Sequence, residues 1–365
     1  MYKLIIYLAF IYLCSCQESH NNGKREEYIH IGLKQRDKTS IYDIFSKIEV
    51  IPLETRNESL LTRIEKIDLF ENRIYVFDFK LSSIFIFDDS GCFLHKISNI
   101  GKGPEEYTNL SDFQINKNKK ELIALSAVDN ALFIYDLEGN FIKKKKLPKY
   151  DKAAYKTMNI LNNDTIAFWT FDYSNRMKYY SMSLDSVIHE DFPEEGKDIF
   201  CPYEFQIQNC LSRGITNTVF TLEDGYTKAL YTWDFGKNND VEKIKIPDLQ
   251  ENAIQWAKKI YASDILNYVI SLQGKNDKYK YAQLVIKDKQ INVFYDEKKK
   301  SPIIFEKTEE GANLYPIYWT DEYMIGLARP SIEKIIPKGL QNQGIKIKID
   351  QLSDESNPFL IKYTF

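Results

Sequence analysis

IFIFD at residues 84–88 recurs as LFIYD at residues 132–136, an offset of 48 residues. The same offset relates three further pairs: Gly91 and Gly139, Phe93 and Phe141, and Ile67 and Ile115. Each copy consists of short runs of β-branched and aromatic residues separated by Asn, Asp and Gly, which is typical of strands joined by tight turns. Four such strands in a repeat of roughly 40 to 50 residues are typical of one β-propeller blade. A single blade cannot bury both of its faces, so blades stack around an axis.

Weaker copies of the repeat continue towards the C-terminus. Second and third strands are predicted at 165–169 and 178–184, and again at 218–222 and 229–235. A further copy is predicted at 268–272, 281–287 and 290–295, with the last of these as its fourth strand. The final copy covers 317–318, 323–327, 345–350 and 359–365. With the first two copies, these make six. The sequence therefore predicts an all-β fold, a six-bladed β-propeller of four-stranded antiparallel blades.

One segment departs from the strand pattern. Residues 249–266 are rich in helix-forming residues and carry apolar side chains at helical spacing. We predict one short helical insertion at this position. It either covers the edge of a blade or forms a lid over a ligand site.

Composition limits the class of protein. The chain has 365 residues, of which 44% are hydrophobic and 28% charged, and its formal net charge is −3. These values describe a folded chain rather than a disordered one or a membrane protein with many spans. Because binding to phosphates needs a strongly basic face, no nucleic-acid partner is predicted.

The first residues have the pattern of an export signal. A basic start precedes an apolar run at residues 4–13, which is shorter than the roughly 20 residues that a membrane-spanning helix needs. LCSC at residues 13–16 resembles the lipobox of bacterial lipoproteins, and the resemblance implies cleavage before Cys16 and a lipid on that residue. An ordinary secretory signal is the alternative. The predicted organisation is a lipoprotein signal peptide at 1–15, a flexible tether at 16–28 and a six-bladed propeller domain at 29–365.

Three motifs carry a resemblance to a known family: IPLET at 51–55, GKGPEEY at 101–107 and NPFLIKY at 357–363. Together with the lipobox and the repeat, they resemble the six-bladed β-propeller lipoproteins of Gram-negative gut bacteria, which are similar to NHL-type and TolB-like propellers. The resemblance implies a lipid-anchored protein of the cell envelope, at the outer membrane and facing either the periplasm or the outside. It also implies that binding is a commoner role than catalysis.

The GKGPEEY motif contains the candidate ligand-binding residues Lys102, Glu105 and Tyr107. Placed on the loop-bearing face near the central channel, their side chains could contact a polar ligand. The motif lacks the third glycine of a dinucleotide fingerprint and the spacing of a P-loop. The alternative is a crossover between blades, in which the glycines permit a tight path and Pro104 stiffens it.

Catalytic motifs are absent from the sequence. Neither HExxH nor Gly-x-Ser-x-Gly occurs, and the four histidines are scattered, at His20, His30, His95 and His189. No metal and no other cofactor is predicted, although a Ca²⁺ site of carboxylates stays open. Aspartates that follow predicted third strands are interpreted as turn caps: Asp88, Asp136 and Asp234.

Three features have competing interpretations. The lysines at 143–146 lie on a predicted edge strand, where they either prevent edge-to-edge pairing or contact a membrane or polyanion. An aromatic cluster either packs between blades or forms a platform for sugars: Trp169, Tyr173, Tyr179 and Tyr180. Whether Cys201 pairs with Cys210 also stays open.

The sequence thus favours a lipid-anchored, monomeric binding or scaffold module of the cell envelope. Its predicted partner is a peptide, a glycan or an envelope protein. Two alternatives remain: a lyase or hydrolase with its site at the channel mouth, and a structural accessory subunit of an outer-membrane uptake complex. The fold decides between none of these, because propellers host many functions.

Overall fold

The computed structural model describes residues 27–149, 154–170, 175–192, 210–212, 217–223, 226–237, 239, 267–287, 289–328 and 356–365. Within these residues, 24 strands form six four-stranded sheets. The sheets are the blades of a six-bladed β-propeller, as the repeat predicts. None of the helices in the described residues is long and apolar enough to cross a membrane. The helical insertion predicted at 249–266 lies outside these residues.

Blades 1 to 3 are each built from one continuous segment, with the first strand nearest the axis and the fourth at the rim. Blade 1 contains β3 (Ile64–Phe70), β4 (Arg73–Asp78), β5 (Ser83–Asp88) and β6 (Phe93–Ile97). Blade 2 contains β7 (Asp112–Asn116), β8 (Glu121–Ser126), β9 (Ala131–Asp136) and β10 (Phe141–Lys146). Blade 3 contains β11 (Tyr155–Ile160), β12 (Thr165–Thr170), β13 (Met177–Ser181) and β14 (Ser186–Asp191).

Two of the other three blades take their outermost strand from the N-terminus. Blade 4 contains β15 (Cys210–Ser212), β16 (Thr218–Glu223), β17 (Tyr226–Asp234) and the N-terminal β1 (Tyr28–His30). Blade 5 contains β18 (Val269–Lys275), β19 (Tyr279–Ile286), β20 (Lys289–Asp296) and β21 (Ser301–Phe305). Blade 6 contains β22 (Pro316–Trp319), β23 (Tyr323–Ala328), β24 (Phe359–Thr364) and the N-terminal β2 (Lys47–Pro52).

The repeated motif at 84–88 forms β5, whose two faces pack against two different blades. Ile84 and Ile86 face blade 2, whereas Phe85 and Phe87 pack with Leu360 of blade 6. Alternate residues of a strand point to opposite faces, and both faces of a blade are covered by its neighbours. This is why the motif is apolar at successive positions rather than at every second one.

Aspartates close the turns between third and fourth strands, as the sequence predicts. The Oδ1 atom of Asp88 accepts hydrogen bonds from the backbone N–H groups of Ser90, at 2.9 Å, and Cys92, at 2.8 Å. Asp136 Oδ1 accepts the N–H groups of Glu138 and Asn140 in the same way. These bonds satisfy backbone donors that the tight turn leaves without strand partners.

The repeated glycines lie where one blade contacts the blade before it. Gly91 and Gly139 have φ angles of +87° and +93°, in the left-handed region that favours glycine. A Cβ atom on Gly91 would lie 2.0 Å from the carbonyl oxygen of Pro52 in β2, and one on Gly139 would lie 2.6 Å from the His95 ring in β6. At both positions the neighbouring outermost strand takes the space of a side chain.

An N-terminal strap, defined here as residues 27–52, runs along the rim of blades 4, 5 and 6. Its strand β1 pairs with β17 in parallel, with Tyr28 opposite Thr232. Asp37 then exchanges hydrogen bonds with Ile304 of β21, at 2.7 and 2.8 Å. Finally β2 pairs with β24 and closes the ring.

The structure corrects two strand assignments made from the sequence. Residues 359–365 were expected as a fourth strand, but β24 is the third strand of blade 6 and β2 is the fourth. In blade 5, the segment expected as the fourth strand, 290–295, belongs to the third strand β20, and β21 follows it. The expected strand at 345–350 lies outside the described residues. The boundary predicted at residue 29 falls within β1.

Candidate functional site

The innermost strands of blades 1, 2 and 3 are tied together by polar side chains. Each innermost strand pairs on one side only, so its other edge presents backbone groups towards the axis. The Oδ2 atom of Asp68 in β3 accepts the N–H of Ile115 in β7, at 3.0 Å. In the same way, Asp112 in β7 accepts the N–H of Met158 in β11, at 2.7 Å. These carboxylates satisfy edge donors and hold successive blades in register.

Lysine side chains accompany both carboxylates. Lys66 Nζ lies 2.8 Å from Asp112 Oδ1, and Asp112 is buried while the lysine is partly exposed. Lys117, which directly follows β7 and is half exposed, lies 3.9 Å from Asp68 Oδ1. We call these four residues, together with Tyr318 of blade 6, the axial cluster.

Tyr318 brings a third blade into the axial cluster. Lys117 Nζ donates to the Tyr318 hydroxyl at 3.4 Å, so one lysine of blade 2 contacts both blade 1 and blade 6. Three blades therefore converge on the ammonium group of Lys117. The rings of Tyr318 and Tyr323 stack next to it, with centroids 6.3 Å apart.

Burial dominates the electrostatics of the axial cluster. Desolvation raises the pKa of Asp68 above its usual range, although Lys117 and the backbone N–H of Ile115 favour its charged form. Burial, followed by the nearby Asp68 carboxyl, also raises the pKa of Tyr318, so its hydroxyl stays protonated and can donate. The available groups are thus two ammonium groups and a phenol, supported by carboxylates whose oxygens already accept backbone hydrogen bonds.

This set of donors suits a negatively charged group. Ammonium and hydroxyl groups donate to carboxylate, sulfate or phosphate oxygens in charge-assisted hydrogen bonds. Within the part of the chain that the structure describes, no group of three or more His, Cys, Asp and Glu side chains is arranged to hold a metal ion.

The predicted loop residues Lys102, Glu105 and Tyr107 lie elsewhere. Tyr107 is fully buried, and its hydroxyl donates to the carbonyl oxygen of Ser82 at 3.0 Å. Lys102 and Glu105 are exposed beside it. The structure therefore leaves two of the three side chains free to face a ligand, and their binding role stays a prediction.

The loop also lies further from the axis than expected. Tyr107 packs edge-on against Phe133 of β9, and Lys144 of β10 donates to the carbonyl oxygen of Glu106 at 3.4 Å. These contacts are with the two outer strands of blade 2. A Cβ atom on Gly101 would lie 1.9 Å from the Glu106 carboxylate, so the glycine leaves room for a side chain that folds back onto the loop. This agrees with the crossover interpretation.

Other predicted surface features are placed as follows. Three members of the aromatic cluster are buried and belong to the packing between blades: Trp169, Tyr179 and Tyr180. Tyr173, Cys201 and the predicted lipidation site Cys16 lie outside the described residues. Cys210 is a buried free thiol. The lysines at 143–146 lie on β10, which is an edge strand as expected.

The sequence reasoning missed the axial cluster. Asp68 and Lys66 alternate with apolar residues in β3, and Asp112 begins β7, so each looks like an ordinary half-exposed strand residue. The 48-residue repeat gives no signal for Asp68 either, because the residue at the equivalent position is also polar. Convergence on Lys117 depends on Tyr318, about 200 residues away, which no local pattern indicates.

Comparison with models of protein families gives a match along nearly the whole chain. A family described as "Domain of unknown function (DUF4934)" matches residues 27–364. No protein with a curated description matches the chain.

Two solved structures resemble the chain. A candidate exported protein from Bacteroides fragilis NCTC 9343 is 15% identical, with a TM-score of 0.68, over 92% of this chain and 98% of that one. A member of the DUF4221 family from Bacteroides vulgatus is 11% identical, with a TM-score of 0.48, over 88% of this chain and 97% of that one. At these identities the likeness concerns the fold alone.

Proposed function

Since the chain belongs to the DUF4934 family of domains of unknown function, we propose its role from its own geometry: it is a binding module that takes an anionic group at the axial cluster. The observation that carries the proposal is the position of Lys117, whose half-exposed side chain lies between three blades. Lys66 adds a second cation on the same side of β3 as Asp68. An acidic peptide or an acidic glycan carries the kind of group that fits.

The buried carboxylate of Asp68 makes this binding sensitive to pH. An ionised Asp68 repels an anion, and its protonation removes that repulsion. Because burial raises the pKa of Asp68, protonation begins at a higher pH than for an exposed aspartate. We therefore expect an anion to bind more tightly as the pH falls through the pKa of Asp68.

Inorganic sulfate is a suitable probe, because its charge stays constant over this range. Isothermal titration should show sulfate binding that Lys117→Ala weakens roughly tenfold to a hundredfold, as expected for the loss of a charge-assisted hydrogen bond. Asp68→Asn should tighten binding and flatten its pH dependence. Lys298→Ala, which removes an exposed lysine from a turn of blade 5, should leave binding unchanged.

The outcomes separate the proposal from general attraction between charges. Equal losses in Lys117→Ala and Lys298→Ala would show that sulfate senses only net charge. Sulfate that fails to bind the wild-type chain would remove the proposal. Competition of bound sulfate by polyglutamate or by dextran sulfate then distinguishes a peptide from a glycan as the natural carrier.

We also propose that the module works at the cell envelope, held by a lipid on Cys16. The lipobox-like residues 13–16 and the apolar run before them support this. The shared fold of a candidate exported protein is compatible with it. The polar stretch after Cys16 would serve as the tether. The outer membrane is the proposed location.

A further inference from the structure

The outermost strands of blades 1, 2 and 3 share a β-bulge at the same position. In β6, His95 pairs with Ile86 and Phe93 with Phe87, which leaves Leu94 without a partner. Ile142 in β10 and Ile188 in β14 are left out in the same way. The side chains are exposed to similar extents: 50% for Leu94, 48% for Ile142 and 50% for Ile188.

The three bulges face the same side of the ring. Each follows the turn that joins the third and fourth strands of its blade, and Leu94 and Ile142 are related by the 48-residue offset. Because the blades repeat around the axis, equivalent positions lie on one side of the propeller. The residue after each bulge is a base: His95, Lys143 and His189. An exposed aliphatic side chain followed by a basic one thus recurs on three adjacent blades.

The other half of the rim lacks this feature. The outermost strands of blades 5 and 6, β21 and β2, pair without a bulge and expose no large apolar side chain in the described residues. The N-terminal strap covers this half, through β1 on blade 4 and Asp37 on blade 5. The bulges are therefore confined to the half of the rim that the strap leaves open.

Protection of the strand edges does not explain the aliphatic residues. A bulge and a lysine are enough to prevent edge-to-edge pairing, and a polar residue at the bulge would do so without exposing apolar surface. A single exposed aliphatic residue needs no explanation, but three at equivalent positions in a repeat do. The exposed side chains of Leu94, Ile142 and Ile188 therefore form a contact surface with three separate apolar sites.

The occupant must be broad and negatively charged. The three sites lie on different blades, so a short peptide cannot reach them all, whereas a flat surface on one side of the ring can. Lys143, directly after the bulge of blade 2, is exposed, and no carboxylate in the described part of the chain pairs with it. Exposed apolar side chains combined with free lysines are characteristic of proteins that bind to the surface of anionic membranes. We propose that this side of blades 1 to 3 rests on an anionic lipid bilayer.

Vesicle co-sedimentation tests the proposal without an attached lipid. A chain that begins at Gln17 keeps every described strand, since these lie between Tyr28 and Thr364, and it lacks the apolar signal residues. It should sediment with vesicles of equal parts phosphatidylcholine and phosphatidylglycerol, and much less with phosphatidylcholine alone. The triple variant Leu94→Ser, Ile142→Ser, Ile188→Ser should lower the apparent affinity roughly tenfold or more. Lys143→Glu should lower it by about tenfold on the anionic vesicles.

Val128→Ser is the matched control. Val128 is more exposed than any bulge residue, at 63%, but it lies in the turn at the opposite end of β9. This variant should bind as the wild type does, and all variants should keep the wild-type melting temperature. If the triple variant is less stable, the single variant Ile142→Ser carries the same comparison.

Several results would overturn the proposal. The proposal fails if the chain does not sediment with anionic vesicles, or if it binds both kinds of vesicle equally. It also fails if Val128→Ser weakens vesicle binding as much as Ile142→Ser does. A concentration-dependent dimer that the triple variant abolishes, without vesicle binding, would assign the surface to a second copy of the chain. None of these results bears on sulfate binding at the axial cluster, which is measured separately.

Discussion

Gly91 and Gly139 are equivalent residues with unequal surroundings. Both adopt a positive φ, but Gly91 faces a backbone carbonyl group, whereas Gly139 faces the ring of His95. A side chain can rotate away from an added methyl group, but backbone within a paired strand cannot do so without breaking hydrogen bonds. The cost of a Cβ atom should therefore differ between two positions that the repeat makes identical.

Alanine substitutions measure this difference. We expect Gly91→Ala to lower the free energy of unfolding by about 3 kcal/mol and Gly139→Ala by about 2 kcal/mol. Gly311→Ala is the control, at about 1 kcal/mol, because Gly311 also has a positive φ but nothing lies within 4 Å of the added atom. Urea unfolding gives all three values. Equal values for Gly91→Ala and Gly311→Ala would show that β2 yields freely to a side chain.

Single residues also mark the limits of sequence reasoning. Asp88 and Asp136 were interpreted correctly as turn caps, because the hydrogen bonds that they accept come from residues two and four positions later. Tyr107 was a candidate ligand contact, with a crossover between blades as the alternative, and its hydroxyl donates to the carbonyl oxygen of Ser82 in another loop. A role that depends on neighbours in the chain can be predicted from the pattern, whereas one that depends on distant packing cannot.

At the scale of elements, β1 is a small strand with several supports. Ile29, at its centre, and Ile31, directly after its end, are buried in the core between blades 4 and 5. His30 Nδ1 lies 2.5 Å from Asp234 Oδ2, and the backbone N–H of Gly236, followed by this contact, lowers the pKa of Asp234. Glu27 Oε2 lies 2.8 Å from Lys280 Nζ.

Removal of β1 should weaken the propeller without opening it. A chain that begins at Asp37 loses two buried isoleucines, whose burial stabilises the fold by a net of about 3 kcal/mol, so we expect the melting temperature to fall by about 5 to 10 °C. Unfolding should stay cooperative, because blade 4 keeps three of its strands and Lys280 keeps its ion pair with Glu297. Circular dichroism on heating checks this against a chain that begins at Glu27. An unchanged melting temperature would mean that β1 does not hold blade 4.

The strands themselves divide into those that the sequence can and cannot reveal. Blades 1 and 2 could be drawn from the repeat because each uses consecutive residues. The fourth strands of blades 4 and 6 could not be assigned from the repeat. Their strands β1 and β2 pair with residues roughly 200 and 300 positions away, and no local pattern indicates those partners. The β-bulges were also missed, since an extra residue leaves the alternation of a short strand unclear.

For the whole molecule, the pairing of β2 with β24 is what closes the ring. Residues next to β2 fill the core between blades 5 and 6, where Ile41, Ile44 and Phe45 pack with Trp319 and Tyr363. An open ring would expose both the free edge of β24 and this apolar surface. Closure therefore joins six blades into one cooperative unit.

A chain that begins at Glu54 should no longer fold as one cooperative unit. Without β2 and the core residues before it, we expect no cooperative thermal transition and strong binding of the dye ANS to exposed apolar surface. A synthetic peptide of residues 40–53, added separately, should restore the transition, because it contains the missing strand and its apolar anchors. Cooperative unfolding of the truncated chain at the melting temperature of the chain that begins at Asp37 would contradict this role for β2.

Ring closure also determines the order in which the strands can pair during biosynthesis. Residue 359, the first of β24, follows β2 by about 300 residues, which a ribosome takes roughly 15 to 60 s to add at about 5 to 20 residues per second. Blades 1 to 3 are each complete once their own segment is made. They can therefore form while β1 and β2 still lack their partner strands. During that interval the nascent protein is an open arc, and β2, although made early, pairs only when the last strand of the chain is complete.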